Sequence, residues 1–333
     1  MKTKVKGYLE TKMPYADEIT VEDFTKMAYG QSRETYFFKA TWKENGQRVE
    51  RDFVIRRDSV GGVVEESDRE FEYRILKFFE NTPVPVAKAY WVETDPSILE
   101  RPFMVMERKE GWVSPAFQVL GRGDDRTRIT MGQNFVQTLV AIHQTNWQQK
   151  DISFLRPPIS VKDAPRQEIA KWERIFNKIK IEPEPLLTCA LVWLNNNMPV
   201  AENITIVHGD YKADNIMFSD TDIVAVLDWE LATLGDPMED VGWICMDYYK
   251  VDNLVNGLMS KEEFLQRYQE LTGFTVDPEV VRFWQLFGCF KMAVITLTGI
   301  KNLLSGKTNA GVIIGLGIFL PKLYREILDL MEQ

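Results

Sequence analysis

The sequence predicts an α+β fold, with an antiparallel sheet and one helix in the N-terminal third and mainly helices thereafter. Three observations predict it. Tyr36–Trp42 and Arg48–Arg56 alternate apolar and polar residues around Glu44-Asn45-Gly46, a strong hairpin signal. From Gln133 onwards, apolar residues recur at helical spacing in one segment after another. Within that helical part, three short β-branched strands interrupt the pattern: Ile204–Val207, Ile216–Phe218 and Ile223–Leu227, the last two joined by the polar turn Ser219-Asp220-Thr221-Asp222.

In chain order, Val21–Ala28 predicts a short helix, with Thr20 as its cap and Asp23 near its start. A loop containing Gly30 and Ser32 separates it from the hairpin strands. Ser67–Phe79 is an amphipathic helix with Phe71, Ile75, Phe78 and Phe79 on one face. Thr82-Pro-Val-Pro85 breaks it and leads to strand Val86–Val92. Asp95–Arg101 reads as a loop, and Pro102–Glu107 as an apolar strand ending at Glu110-Gly111. Helices follow at Gln133–His143, Pro165–Lys180, Pro185–Asn197, Met238–Tyr249, Lys261–Thr272, Asp277–Leu304 and Pro321–Met331. Ser260 and Glu263 form a capping-box pattern at the start of the fifth of these.

Composition narrows the function classes. The 333 residues suffice for two lobes and a sizeable core. A net charge of −9 and a pI near 5.1 repel phosphate backbones, so nucleic-acid binding is not expected. The three cysteines, Cys189, Cys245 and Cys289, form no CxxC pair and lie in apolar sequence, so they read as reduced core residues of a cytoplasmic protein. The basic N-terminus is followed by no apolar signal core. Gly311–Leu320 is about half the length a membrane span needs, so no membrane partner is expected. Gly306-Lys307-Thr308 resembles the end of a P-loop, but Lys301 stands where that motif needs glycine, and Gly315-x-Gly317 lacks a third glycine; both read as turns.

The chemistry concentrates in residues 204–240. His208-Gly-Asp210-x-Lys212-x-x-Asn215 has the spacing of a kinase catalytic loop. Asp228 follows Asn215 across one tight hairpin, which returns the chain and sets the two side by side. An amide oxygen and a carboxylate are the hard ligands Mg²⁺ prefers, with phosphate and water completing the shell. Asp210 would orient a substrate hydroxyl and accept its proton. Taken singly, each residue also fits a turn, a cap or, for Lys212, a solvated loop; the joint spacing favours phosphoryl transfer. His143 and His208 read as structural hydrogen-bonding residues, and Asp240, in the first turn of its helix, as a brace.

HGDYKADN followed by LDWELATLGDP resembles the aminoglycoside phosphotransferase and choline kinase-like enzymes, in particular the branch fused to, or encoded beside, acyl-CoA dehydrogenases. Asp228-Trp229-Glu230 stands where protein kinases have Asp-Phe-Gly, which argues against a protein kinase. The resemblance implies a protein-kinase-like two-lobe fold, with residues 1–107 as a nucleotide-binding lobe and 108–333 as a catalytic and substrate-binding lobe. It implies ATP and Mg²⁺ as cofactors, Asp210 as base, Lys212 at the γ-phosphate, and Asn215 and Asp228 as metal ligands. Gly30 and Ser32 would cover the nucleotide. Arg56 would hold its phosphates, with Arg57 on the opposite face of the strand. Glu72 would pair with Arg56, Glu70 being the rival in register. Met106, Glu107 and Lys109 would line a hinge that meets adenine. The acceptor implied is a small-molecule hydroxyl, such as a hydroxyacyl-CoA or hydroxy acid. An aminoglycoside or amino alcohol is the alternative, and a non-catalytic nucleotide-binding protein is a third reading.

Overall fold

A computed structural model describes residues 1–27, 33–58, 69–113, 115–119, 121, 123–307, 315 and 317–332. The chain is α+β and divides into two compact units. One comprises Met1–Glu80 and Val86–Glu110; the other comprises Asn81–Pro85 and Gly111–Gln333. The Asn81–Pro85 segment belongs with the second unit because the Pro85 carbonyl accepts from the Val226 amide at 2.8 Å.

The first unit is an antiparallel sheet with helices on both faces. Strands β1 (Asp17–Lys26), β2 (Arg33–Glu44), β3 (Gln47–Asp58), β4 (Ala89–Glu93) and β5 (Phe103–Glu107) lie in the order β1-β2-β3-β5-β4. The β2–β3 ladder runs unbroken from Arg33↔Asp58 to Glu44↔Gln47. It closes at Asn45 (φ +50°) and Gly46 (φ +76°), the left-handed pair that a two-residue turn requires. Period-two alternation sorts the side chains. Phe53, Ile55, Phe103 and Val105 face a core completed by Val5, Tyr8 and Leu9 of helix α1 (Lys2–Lys12). Arg56 points the other way, toward helix α2 (Arg69–Phe79).

The sequence expectations need correction at three places here. Val21–Ala28 does not form a helix. Its described residues lie in β1, where Ile19 and Val21 are buried at strand spacing and register shifts flank Thr20–Glu22. The N-terminal segment, for which the sequence predicts no element before Thr20, contains α1. Asp95–Arg101 contains a one-turn helix α3 (Pro96–Leu99), capped by the Asp95 carboxylate on the Ser97 amide.

The second unit is mainly helical. Its helices include a one-turn α4 (Ala116–Val119), α5 (Asp125–His143), α6 (Asp163–Ile179), α7 (Pro185–Asn196), α8 (Met238–Ile244), α9 (Lys261–Thr272), α10 (Pro278–Leu304) and a C-terminal helix (Leu320–Glu332). Among the described residues three small antiparallel pairs interrupt them: β6 (Thr205–Val207) with β9 (Thr233–Gly235), the hairpin β7 (Ile216–Ser219) with β8 (Asp222–Val226), and β10 (Lys250–Val251) with β11 (Leu254–Val255). Helix α10 is long and apolar enough to cross a membrane by composition alone. It is instead the unit's central core helix, buried on all sides through Val281, Trp284, Phe287 and Phe290, as all-round apolar helices are in globular proteins. Helix α8 lies directly on it. A Cβ at Gly242 would stand 2.5 Å from the Trp284 backbone, so only glycine permits this approach. Cys245 and Cys289 are buried there, whereas Cys189 is exposed, contrary to the expectation that all three are core.

Candidate active site

The second unit builds its polar centre on the loop leaving β6. Gly209 adopts φ +78°, and a Cβ there would lie 2.5 Å from the Leu231 carbonyl oxygen, so this turn admits only glycine. Asp240, fully buried on α8, accepts the His208 amide at 2.7 Å through Oδ2 and the Gly209 amide at 2.8 Å through Oδ1. His143 Nε2 reaches the same carboxylate at 3.0 Å, and His143 Nδ1 lies 2.7 Å from the Tyr268 hydroxyl. Burial alone would raise the Asp240 carboxyl, but these donors and the neighbouring histidines hold it below its ordinary value.

His208 Nδ1 accepts the Asp210 amide at 3.2 Å, so Nε2 carries the proton and donates to the Leu227 carbonyl at 2.9 Å. Burial pushes its imidazole below the usual histidine range. It is a neutral brace between the loop and the segment leading to Asp228.

The loop delivers three of the expected residues to one place. Lys212 Nζ lies 2.9 Å from Asp210 Oδ1 and 3.0 Å from Oδ2, straddling the carboxylate. Burial would lower the Lys212 ammonium, but Asp210 outweighs it and the shift is upward, so Lys212 stays charged. The Asn215 side-chain amide donates to Asp210 Oδ2 at 2.8 Å and to the Asp210 carbonyl at 2.9 Å. The Leu227 amide donates to the Asn215 carbonyl at 2.8 Å, which places Asp228 beside Asn215 across the β7–β8 hairpin. Asp228 itself takes φ +58°, a left-handed turn outside the sheet. Trp229 behind it is fully buried, its indole N–H on the Val226 carbonyl at 3.0 Å.

This donor set suits a divalent cation of the magnesium type. The Asn215 nitrogen is committed to Asp210, which leaves its amide oxygen as the atom that would face a cation, with Asp228, the residue after Leu227, as the second oxygen donor. Among the described residues no three His, Cys, Asp or Glu side chains gather as a metal group. Two oxygen donors are what Mg²⁺ commonly takes from a protein when phosphates supply the rest.

In the first unit, Arg56 Nη1 donates to Glu72 Oε1 at 2.9 Å. Glu72 is 3% exposed and also accepts from Arg69, which in turn bonds Asp58 at 3.0 Å. Of the two register rivals, Glu72 is buried and Glu70 exposed. Arg57 lies on the opposite face, bonded to Glu34 and to the Leu99 carbonyl at 2.7 Å. Met104 and Met106 are buried in β5. The Glu107 amide is used within the sheet, donating to Lys88 at 2.8 Å, and the Arg108 amide donates to Asp52 at 3.3 Å. Glu107 and Lys109 pair with each other at 3.1 Å. Gly30 and Ser32 lie outside the described residues.

Sequence reasoning missed two residues that hold the loop. Asn256, buried at φ +53°, accepts the Ala213 amide at 2.9 Å. Lys291 on α10 donates to the Gly209 carbonyl at 2.8 Å and to Glu239 at 2.9 Å. The signal for Lys291 was present: it is the only charged residue between Phe283 and Ile300.

Comparison with known proteins agrees with this geometry. Residues 23–284 match the phosphotransferase enzyme family. Mouse acyl-CoA dehydrogenase family member 10 is 28% identical over 85% of this chain, and the probable acyl-CoA dehydrogenase IBR3 of Arabidopsis thaliana is 26% identical over 86%. The chain spans 27% and 37% of the lengths of these two relatives. Among solved structures, a Ralstonia eutropha protein provisionally described as an aminoglycoside phosphotransferase superposes with TM-score 0.76 at 24% identity, covering 100% of this chain and 98% of its own. The streptomycin–ATP–APH(2")-IIa ternary complex superposes with TM-score 0.58 at 15% identity, covering 89% and 90%. The fold is therefore the protein-kinase-like one of the aminoglycoside phosphotransferases, and with most of its length matched, the chain belongs to the phosphotransferase enzyme family.

Proposed function

We propose that this protein is an ATP-dependent kinase that moves the γ-phosphate to a hydroxyl of a small molecule. The observation that carries this reading is the joint placement of Asp210, Asn215 and Asp228, with Asn215 bonded to Asp210 at 2.8 Å and its carbonyl bonded at 2.8 Å to the amide of Leu227, the residue before Asp228. In this reading Asp210 accepts the proton of the attacking hydroxyl and aligns it. Asn215 and Asp228 would hold Mg²⁺, which supplies charge neutralisation for the phosphates. Lys212 leaves its ion pair to meet the γ-phosphate as the acceptor takes Asp210. Arg56, oriented by Glu72, meets the nucleotide phosphates. Lys109, Met106 and Glu107 contribute to adenine binding, and Gly30 and Ser32 to covering the nucleotide. The reaction then rests on positioning and electrostatics, as phosphoryl transfer does elsewhere.

For the acceptor we favour a hydroxyacyl-CoA or related hydroxy acid. Support comes from relatives named as acyl-CoA dehydrogenases, 24–28% identical over 84–92% of this chain. The aminoglycoside phosphotransferases among solved structures keep an aminoglycoside as the alternative.

A screen of hydroxyacyl-CoAs, hydroxy acids, amino alcohols and aminoglycosides, read as acceptor-dependent ADP release, tests both levels. Turnover lost in Asp210→Ala with nucleotide binding kept supports the kinase reading. Nucleotide binding without turnover on any acceptor points instead to a non-catalytic nucleotide-binding protein.

A further inference from the structure

Lys291 is an ammonium buried among aromatic rings, beside the Glu239 carboxylate and with Glu168 also near. It lies midway along α10, its side chain 1% exposed, with its Nζ 5.2 Å from the Trp243 ring centroid, 5.5 Å from that of Trp172 and 6.0 Å from that of Phe287. Burying a charge is expensive, and apolar replacements of buried ion pairs are often as stable or more so. A packing role alone would be met by methionine in this cage.

The two bonds of Lys291 show what the charge is for. One goes to Glu239 at 2.9 Å and the other to the Gly209 carbonyl at 2.8 Å. That carbonyl belongs to the peptide plane joining Gly209 to Asp210. The opposite edge of the plane is the Asp210 amide, which donates to His208 Nδ1. The amide on the other side of Gly209 is held by Asp240, the neighbour of Glu239 on α8. Gly209 sits at φ +78°, and glycine gives its flanking peptides more rotational freedom than any other residue. A peptide held at one edge can tilt; held at both, it cannot.

We propose that Lys291 is a positioning residue for phosphoryl transfer: by fixing the Gly209–Asp210 peptide plane it aims the Asp210 carboxylate at the acceptor hydroxyl. The proposal rests on the kinase reading, and its test separates the two. Glu239→Gln supplies the reference background, since it removes the anion that Lys291→Met would otherwise leave buried and unpaired. Against that background, Lys291→Met lowers kcat at least tenfold and leaves KM for ATP within twofold, because the kinase reading assigns the nucleotide no contact with this peptide. Hydrogen–deuterium exchange of the 208–212 peptide rises at least fivefold in the double variant. An acceptor-independent rise in exchange sustains the positioning claim even if no acceptor is ever turned over, in which case the kinase reading is what fails.

A folded double variant whose kcat and exchange both match the Glu239→Gln reference overturns the proposal. So does a parallel loss of kcat and ATP affinity. If Lys291→Met does not fold in this background, Lys291→Gln is read in the same way. Failure of both to fold makes Lys291 a folding residue and also overturns the claim.

Discussion

The loop at His208–Asn215 and the arginine at position 56 are held in opposite ways. The loop is fixed mainly through its backbone. Four other parts of the second unit take its peptide groups: Asp240 takes two, and Lys291, Asn256 and the Leu227 amide one each. Its candidate side chains bond to one another, Lys212 and Asn215 to the Asp210 carboxylate, and the Asp210 and Lys212 side chains remain 18% and 17% exposed. Arg56 is held by its own functional group, through a shared carboxylate inside a cluster of four charges: Arg56, Glu72, Arg69 and Asp58. A backbone-held site is set before ligand arrives. A charge-held side chain must redistribute its bonds when phosphate does. The first arrangement suits a base whose direction matters, and the second a cation whose charge matters.

Breaking each region should therefore read out differently, and the largest effect belongs to the loop. Asp210→Asn should lower kcat by about 10²–10⁴, the range for loss of a general base, while nucleotide affinity by calorimetry and the melting temperature stay near wild type. A drop in nucleotide affinity of the same size would remove the distinction between base and binder. Next is Glu72→Ala, which leaves Arg69 buried with only Asp58 and should cost about 3–5 kcal/mol in urea unfolding. A loss under about 1 kcal/mol would mean that the cluster behaves as a surface pair.

Arg56→Met sharpens the comparison because it keeps the length and removes the charge. Its expected signature is a KM for ATP raised about tenfold, roughly 1.4 kcal/mol, with kcat falling less. Ser260→Ala is the control outside both regions. It removes the cap that accepts the Glu263 amide at 3.1 Å and should cost about 1 kcal/mol of stability without touching KM.

The gentlest effect is on pH. His208 is held below its ordinary value of 6.5 by burial. The unfolded chain therefore binds a proton near pH 6.5 that the folded chain refuses. Stability should fall as pH drops below 6.5, with a slope of at most about 1.4 kcal/mol per pH unit from this group. His208→Asn should flatten that slope; an unchanged slope would show that His208 does not titrate as its burial implies.

Much of this was legible along the chain. Asn45-Gly46 predicted the hairpin because only residues tolerant of positive φ close a two-residue turn, and both are found there. Ser260 predicted the start of α9, since its hydroxyl satisfies an amide of the same turn. Asp210, Asn215 and Asp228 could be placed together because one hairpin links them. Alternation in β3 was enough to send Arg56 and Arg57 to opposite faces. Where local signals competed, they failed. Thr20-Val-Glu-Asp carries a capping pattern, yet Ile19 and Val21 are drawn into a sheet core that local propensity does not register.

The amino-acid sequence by itself thus determined the α+β class, the hairpins and caps, and the spacing that groups Asp210, Asn215 and Asp228. Each of these depends on residues that are neighbours or one turn apart. Only the tertiary structure decided what holds Asp210 in place. Asp240 lies 31 residues from Gly209 and Lys291 lies 82 away. The sequence offered Asp240 as a brace and Lys291 as a lone charge in an apolar run, but not the peptide groups they hold, because buried polar groups are satisfied by whatever the folded core brings within reach, not by what stands beside them in the chain.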